Sequence, residues 1–363
     1  MRRMFGQSNI RLVFWGNSDA KPDDMQDHSI AGIDILIRGP HSPVTDAVLE
    51  MFRLSRSKDL PDKVRISIFD LHASDNVSGI LPAWLGEKLA RLRPSRQVSM
   101  LHGPGKELAA VINNGLAWQC GWMAGSDSEI RYVSCKKIDG RTPLSVSTVL
   151  VPILRDLLVA RNKLLLHAAA VRCPNGCGIL ILADSGGGKT TTALSMLRQG
   201  SRFLADDLVV LQKLDHVVQV TGFPELLNLT AQTVQFFPEI QEHFDSTANS
   251  NASGKKMISA QTVYGSEYML EACRLDAIFF VQIGVQGPQT RPSRPGEALG
   301  KLIRSHTFAQ SQQVPRASVS GFFSILDGVP VFELQTGPDP VCLGSWLIEF
   351  CHTHLRRRTA GHE

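Results

Sequence analysis

No apolar run in the 363-residue sequence is long enough to cross a bilayer. The longest, such as Leu164–Val171, is interrupted by His167. An export signal is missing as well, because Met1-Arg2-Arg3-Met4 leads into Gly6-Gln7-Ser8-Asn9 and not into an apolar segment. Charge of one sign is scarce: Lys+Arg 38 against Asp+Glu 34 leaves a formal +4, too little for nucleic acid without a clustered basic face. The one dense basic run, Arg356-Arg357-Arg358, reads as a solvated tail. Zinc spacing is lacking too. Cys173 and Cys177 bracket a C-P-N-G-C segment, but no second Cys/His pair follows, and the seven scattered cysteines fit reduced thiols. What remains is ample core material, with 43% hydrophobic and 20% charged residues, which excludes a disordered chain. The expectation is a soluble cytoplasmic protein with neither a membrane nor a nucleic-acid partner.

The length exceeds what one core usually serves, so two domains are expected. Residues 1–145 read as an α+β domain with no catalytic signature. Ile10–Trp15, Ile33–Ile37 and Val64–Phe69 are strand-like, Thr45–Arg53 and Pro82–Leu92 helical, and polar turn clusters at Asn17–Gln26 and Ser55–Lys63 separate them. A long amphipathic segment, Ser145–Asn162, marks the junction. The second domain is expected over 146–355, with a basic tail at 356–363. Within it 246–259 is a flexible loop, rich in small polar residues and ending in Lys255 and Lys256, which are candidates to close over bound phosphates. Pro340–Arg358 reads as one amphipathic helix burying Leu343, Leu347, Cys351 and Leu355.

The informative stretch is 178–211. Ile179–Leu182 is a continuous apolar run of the kind a strand buried on both faces needs. The loop A-D-S-G-G-G-K-T follows at 183–190, and then a helix over Thr191–Gln199 with Gly200 as its C-terminal cap. Strand, glycine loop and helix are the context of a P-loop. Successive backbone N–H groups curl around a polyphosphate, which requires small residues at Gly186, Gly187 and Gly188, and the helix N-terminus adds partial positive charge. Lys189 neutralises β- and γ-phosphate charge, and the Thr190 hydroxyl suits Mg²⁺. Asp184, Ser185, Gly186, Gly187, Gly188, Lys189, Thr190 and Thr191 are therefore the expected nucleotide-binding set, with ATP and Mg²⁺ as ligands. Ala183 stands where such loops usually open on glycine, so an ordinary backbone angle is expected there.

A second signal, Asp206-Asp207, ends eighteen residues beyond Lys189, after a short strand-like run at Ser201–Ala205. Adjacent carboxylates beside a P-loop suit two jobs, one holding the magnesium and the other accepting a proton from an attacking hydroxyl. A plain Asp-Asp turn is the alternative. His167 sits within the apolar run, whose strand is expected in the same sheet as the P-loop strand. Its surroundings suit either a hydrogen-bonded core residue or a catalyst.

His167, the loop at 183–190, Gly200 and the triplet Ala205-Asp206-Asp207 together resemble the HPr kinase/phosphorylase family and its shorter relatives. The similarity is strong over Leu164–Leu211, weaker through Val217–Leu229 and Leu275–Phe308. The resemblance implies an α/β, HPr kinase C-terminal-like P-loop domain preceded by a smaller α+β domain. It implies Asp207 as proton acceptor, Lys189 as phosphate lysine, Thr190 as magnesium hydroxyl and His167 as the active-site histidine. With Asp207 so assigned, Asp206 is the carboxylate left to act on the metal, directly or through water. It also implies a homo-oligomer, although no heptad repeat is present. Two positions depart from the pattern. Thr191 stands where the bifunctional enzymes have glutamate, and Gln219-Val220-Thr221-Gly222 is the best match to their metal-binding E-x-x-G segment, with Glu225 close by. No phosphorylase signature is found.

The expected function is ATP-dependent phosphorylation of a serine hydroxyl on a peptide or small protein. The rivals are a small-molecule kinase acting on free serine, a non-catalytic ATP-binding regulatory protein and a plain NTP hydrolase. Arg291, Arg294 and Arg304 are candidates to contact phosphate or an acidic peptide, and spacing does not select among them.

Overall fold

A computed structural model describes residues 26–30, 33–39, 42–52, 63–72, 80–104, 107–113, 117–123, 129–136, 146–223, 226–247, 254–308 and 313–355. The strand-like run at Ile10–Trp15, the neighbouring Glu225 and the basic tail 356–363 lie outside these residues. The architecture is mixed α/β, in two compact units: 1–161 with 307–313, and 162–306 with 314–363.

The first unit holds β1 (Gln26–Ile30), β2 (Ile33–Arg38), α1 (Pro43–Phe52), β3 (Lys63–His72), α2 (Ala83–Arg91), β4 (Ser95–His102), β5 (Leu108–Asn113), β6 (Ala117–Met123), β7 (Glu129–Lys136) and α3 (Val146–Val159). Its seven strands among the described residues form one sheet in the order β1-β2-β3-β7-β6-β5-β4. Alternation places Val64, Ile66 and Ile68 on the buried face of β3, and α2 enters through Pro82 as its sequence predicts. β4–β7 are additional to the strands expected from the sequence. Helix α3, assigned above to the second domain, packs on β5 and β6 of this unit. The reason is its apolar face: Val149, Ile153, Leu154, Leu157 and Leu158 are all buried, with Val149 set against Gly121. The second unit therefore opens at Asn162, not at residue 146.

That unit runs β8 (Lys163–His167), β9 (Ala169–Arg172), β10 (Gly178–Leu182), α4 (Lys189–Arg198), β11 (Arg202–Ala205), β12 (Leu208–Leu214), β13 (Val217–Gly222), β14 (Leu227–Leu229), α5 (Ala231–Val234) and α6 (Pro238–Ser246). It continues through β15 (Lys256–Ile258), α7 (Ala260–Tyr264), β16 (Ala272–Arg274), β17 (Ala277–Gln282), β18 (Gln289–Pro292), α8 (Pro295–Ser305), α9 (Arg316–Gly328), β19 (Val331–Gln335) and α10 (Leu343–Leu355). A six-stranded sheet has the order β11-β9-β10-β17-β19-β18, and a four-stranded one the order β16-β13-β12-β8.

β10 is buried along its whole length, as its apolar run predicts, and pairs in parallel with β17. The preceding run departs from expectation. Leu164–Val171 does not form one strand of the β10 sheet but splits at Ala168: β8 pairs with β12 in the four-stranded sheet, while β9 pairs with β10 and β11 in the six-stranded one. Asp206-Asp207 makes the matching step between β11 and β12. The two steps are tied together by Ala168 N–H donating to Asp207 O at 3.0 Å. Both crossings thus lie side by side, and this is what brings distant parts of the sequence to one place.

Helix α10 lies close against α4. A Cβ on Gly344 would sit 2.1 Å from Ser195 O, so glycine is required there, and Gly344 N donates to Ser195 Oγ at 2.6 Å. Leu343, Leu347, Cys351 and Leu355 are buried as the helical spacing predicts. The segment 246–259 is less of a loop than its composition implies. α6 reaches Ser246, and Lys256–Ile258 forms β15, paired with β14.

Candidate functional site

The loop between β10 and α4 turns through Gly186 and Gly188, whose φ angles of 78° and 95° belong to the left-handed region that favours glycine. Gly188 is the residue from which α4 starts. Gly187 is closely packed, since a Cβ there would meet Ala183 Cβ and Asp184 O at 3.0 Å each. Among the described residues the non-glycine positive φ angles are at Asn162 and Asp215, so Ala183 has the ordinary angle expected of it. At the other end of α4, Gly200 adopts φ 83° and donates to Leu197 O, closing the helix as its position predicts.

A cavity of about 400 Å³ lies over this loop. It is lined by every residue of the expected set from Asp184 to Thr191, and by His167, Asp206 and Asp207. The strand register explains how these meet. Leu208 on β12 stands opposite His167 on β8, so the residue before Leu208 falls beside the imidazole. His167 Nε2 lies 2.5 Å from Asp207 Oδ1, and Lys189 Nζ approaches the same oxygen at 3.3 Å. Lys189 also donates to the Asp206 backbone carbonyl. Burial pulls the Asp207 carboxyl upward, but Lys189 and the His167 hydrogen bond outweigh it and hold the group below the usual carboxylate range.

Asp206 points the other way and is fully buried. Its Oδ2 accepts from Thr190 Oγ1 at 3.0 Å and from Asn228 N at 3.1 Å, whereas Oδ1 is buried without a partner. Burial, only partly offset by Lys189, pushes this carboxyl up. A hydroxyl beside a carboxylate with an unused oxygen suits a magnesium ion that draws most of its ligands from phosphate and water. Among the described residues no cluster of three or more His, Cys, Asp or Glu forms a metal cage from protein alone.

Other sequence candidates fall elsewhere. Gln219 lies within β13, paired with Gln212 and Arg274, and does not line the cavity. Lys256 is occupied, donating to Phe244 O at 2.6 Å and resting over the Phe244 ring, so it does not close over the loop. Lys255 does line the cavity. The sequence reading missed Asn228, whose only signal was a polar residue between the buried Leu227 and Leu229. It also missed the wall formed by Thr336, Gly337, Pro338 and Pro340.

No helix among the described residues is long and apolar enough to cross a membrane. No family model matches the chain. An HPr kinase/phosphorylase of Lactobacillus acidophilus is 37% identical over 82 residues, covering 23% of this chain and 24% of the relative. That of Bacillus subtilis is 28% identical over 149 residues, covering 35% and 42%. The chain thus spans less than half the length of these curated relatives. A solved structure of the Hpr(Ser) kinase/phosphatase from Coxiella burnetii aligns with 54% of this chain and 99% of its own, at 12% identity and TM-score 0.33, too low to carry an argument about the fold. From the sequence similarity, this chain is an HPr kinase-like family relative.

Proposed function

We propose that the chain is an ATP-dependent kinase that transfers the γ-phosphate to a hydroxyl, foremost a serine on a peptide or small protein. The observation that carries this reading is the Asp207 carboxylate, held ionised between His167 and Lys189 in the wall of the glycine-loop cavity. In the reaction the acceptor oxygen forms a bond to the γ-phosphorus as the bond to the β-phosphate oxygen breaks. Asp207 orients the hydroxyl and takes its proton, and ADP leaves. Thr190, together with Asp206 directly or through water, would hold a magnesium ion, which would supply positive charge to the nucleotide's phosphates. The amides of Gly186–Gly188 and the Lys189 ammonium stabilise charge on the transferring group. His167 steadies Asp207 and hydrogen-bonds the base or the γ-phosphate.

A carboxylate held below its usual range is a poor base. Polyphosphate corrects this in two ways: it engages Lys189, and it places negative charge beside Asp207. Both raise the carboxylate's proton affinity toward a useful value. In this reading the first unit recognises the acceptor and the second is the kinase domain. The enzyme acts in the cytoplasm, as a homo-oligomer, where ATP and free cysteine thiols coexist.

One observation favours a second reading, a non-catalytic ATP-binding regulator: Gln219 stands in place of a second metal carboxylate and lies away from the cavity. ADP release with Mg²⁺-ATP separates the two. It is run alone, and then with HPr, with free serine and with a pool of serine peptides. Stimulation by one acceptor supports the kinase, while tight ATP binding without stimulation supports the regulator.

A further inference from the structure

A second cavity, of about 190 Å³, adjoins the first and shares His167, Ala183, Asp184 and Ser185 with it. Its remaining wall comes from Leu182, from the end of β17 at Phe280–Gln282, and from Lys301, Arg304 and Ser305 on α8. The nucleotide reading leaves the walls from β17 and α8 unused. Once ATP occupies the first cavity, an acceptor must reach Asp207 by a path the phosphates leave open. In-line displacement further requires the attacking oxygen to lie opposite the leaving one. The second cavity reaches His167, the side chain bonded to Asp207, beside the glycine loop.

The structure also separates the three arginines that spacing left equal. Arg294 pairs with Glu297 at 4.0 Å and is largely exposed. Arg291 stands opposite Glu333 in the β18–β19 register. Arg304 lines the second cavity, and among the described residues no ion pair or hydrogen bond engages its guanidinium. Its neighbour Lys301 is already committed, bonded to Glu333, which Ser293 also holds at 2.7 Å. Among the described residues Asp184 is the one carboxylate lining the second cavity, and it lines the first as well. A guanidinium is the side chain best shaped to hold a carboxylate or phosphate through two parallel hydrogen bonds.

We propose that the acceptor approaches through this second cavity and that Arg304 holds an anionic group, a carboxylate or a phosphate, carried beside the hydroxyl to be phosphorylated. The inference deepens the kinase reading and rests on it for the identity of the reacting hydroxyl. The anion site itself can be tested without turnover. The full chain is saturated with Mg²⁺ and a non-hydrolysable ATP analogue, then titrated calorimetrically with succinate and, separately, with inorganic phosphate. The expected result is one further equivalent of at least one of these anions, weakened tenfold or more in Arg304→Gln and restored in part in Arg304→Lys. Preference between the probes distinguishes carboxylate from phosphate. No binding by the nucleotide-saturated protein, or binding that Arg304→Gln leaves unchanged, overturns the proposal. A second arm compares serine peptides that differ only in a glutamate or alanine next to the serine. The expected outcome is at least a tenfold preference in kcat/KM for the acidic peptide, lost in Arg304→Gln through the acceptor's KM. Equal use of both peptides overturns it. Anion binding that depends on Arg304, with no acceptor turned over, instead leaves the site standing and removes the kinase reading.

Discussion

Asp206→Asn should make the unliganded protein more stable and the liganded one less so. In the wild type a carboxylate with no exposed surface has one oxygen bonded to Thr190 and Asn228 and the other bonded to nothing. Burying an ion costs several kcal/mol even after relaxation. Neutralising it recovers that cost. The two hydrogen bonds to Oδ2 then change from charge-assisted to neutral, a loss of about 1 kcal/mol each, and the attraction of Lys189 is lost as well. The amide nitrogen that replaces Oδ1 inherits the same lack of a partner, so that penalty cancels. The net is a gain on the order of 1 kcal/mol, or a melting temperature raised by roughly 2–4 °C for a unit of this size. With Mg²⁺ and a non-hydrolysable ATP analogue at a hundred times its dissociation constant, the wild type gains about 2.7 kcal/mol. The variant, lacking the carboxylate, gains much less, and the order of the melting curves reverses. Scanning fluorimetry with and without ligand reads both. The pH dependence has a definite sign. A carboxyl whose folded pKa is raised stabilises the fold most below its ordinary value, and that stability is lost as pH rises through the folded pKa, so the wild type should show this decline and the variant should not. A variant that melts lower without ligand would falsify the view that this carboxylate is kept for a cation.

The adjacent residue should behave oppositely. Asp207→Asn should melt lower at neutral pH, by about 1 kcal/mol or less given its partial exposure, because a depressed carboxyl stabilises the fold above its ordinary pKa and that contribution fades as pH falls through the folded value. If phosphates raise its proton affinity, the acid limb of kcat should lie at higher pH than that of kcat/KM, and coincident limbs in a pH–rate series would count against that role. Lys189→Ala should weaken both nucleotide affinity, read by equilibrium titration, and the transfer rate. Gly344→Ala places a Cβ 2.1 Å from Ser195 O and should cost about 1–3 kcal/mol by urea denaturation, since α10 must move off α4; an unchanged midpoint would refute the close packing.

The parts legible in the sequence were those set by near neighbours. The buried strand, the turn through Gly186 and Gly188 and the cap at Gly200 each follow from a few consecutive residues. The meeting of His167 with Asp207 depends on pairing between β8 and β12, forty residues apart and invisible to periodicity. For the same reason the step at Ala168 was not seen: an unbroken apolar run gives no sign that it serves two sheets. Asn228 is bound to Asp206 through its backbone N–H, a contact its side chain does not encode. Strand β15 was hidden because Lys256, a residue typical of loops, is held by Phe244. The selection of Arg304 over Arg291 and Arg294 likewise needed the positions of Glu297 and Glu333.

The most direct measurement is a single-turnover assay following the γ-phosphate of labelled ATP, with wild type and Asp207→Asn side by side and the acceptor panel present. The expected result is label transferred to a serine-bearing acceptor by the wild type, reduced about 10²–10⁴-fold in the variant while ATP binding persists. Transfer by Asp207→Asn at near the wild-type rate would contradict the assignment of Asp207 as the proton acceptor.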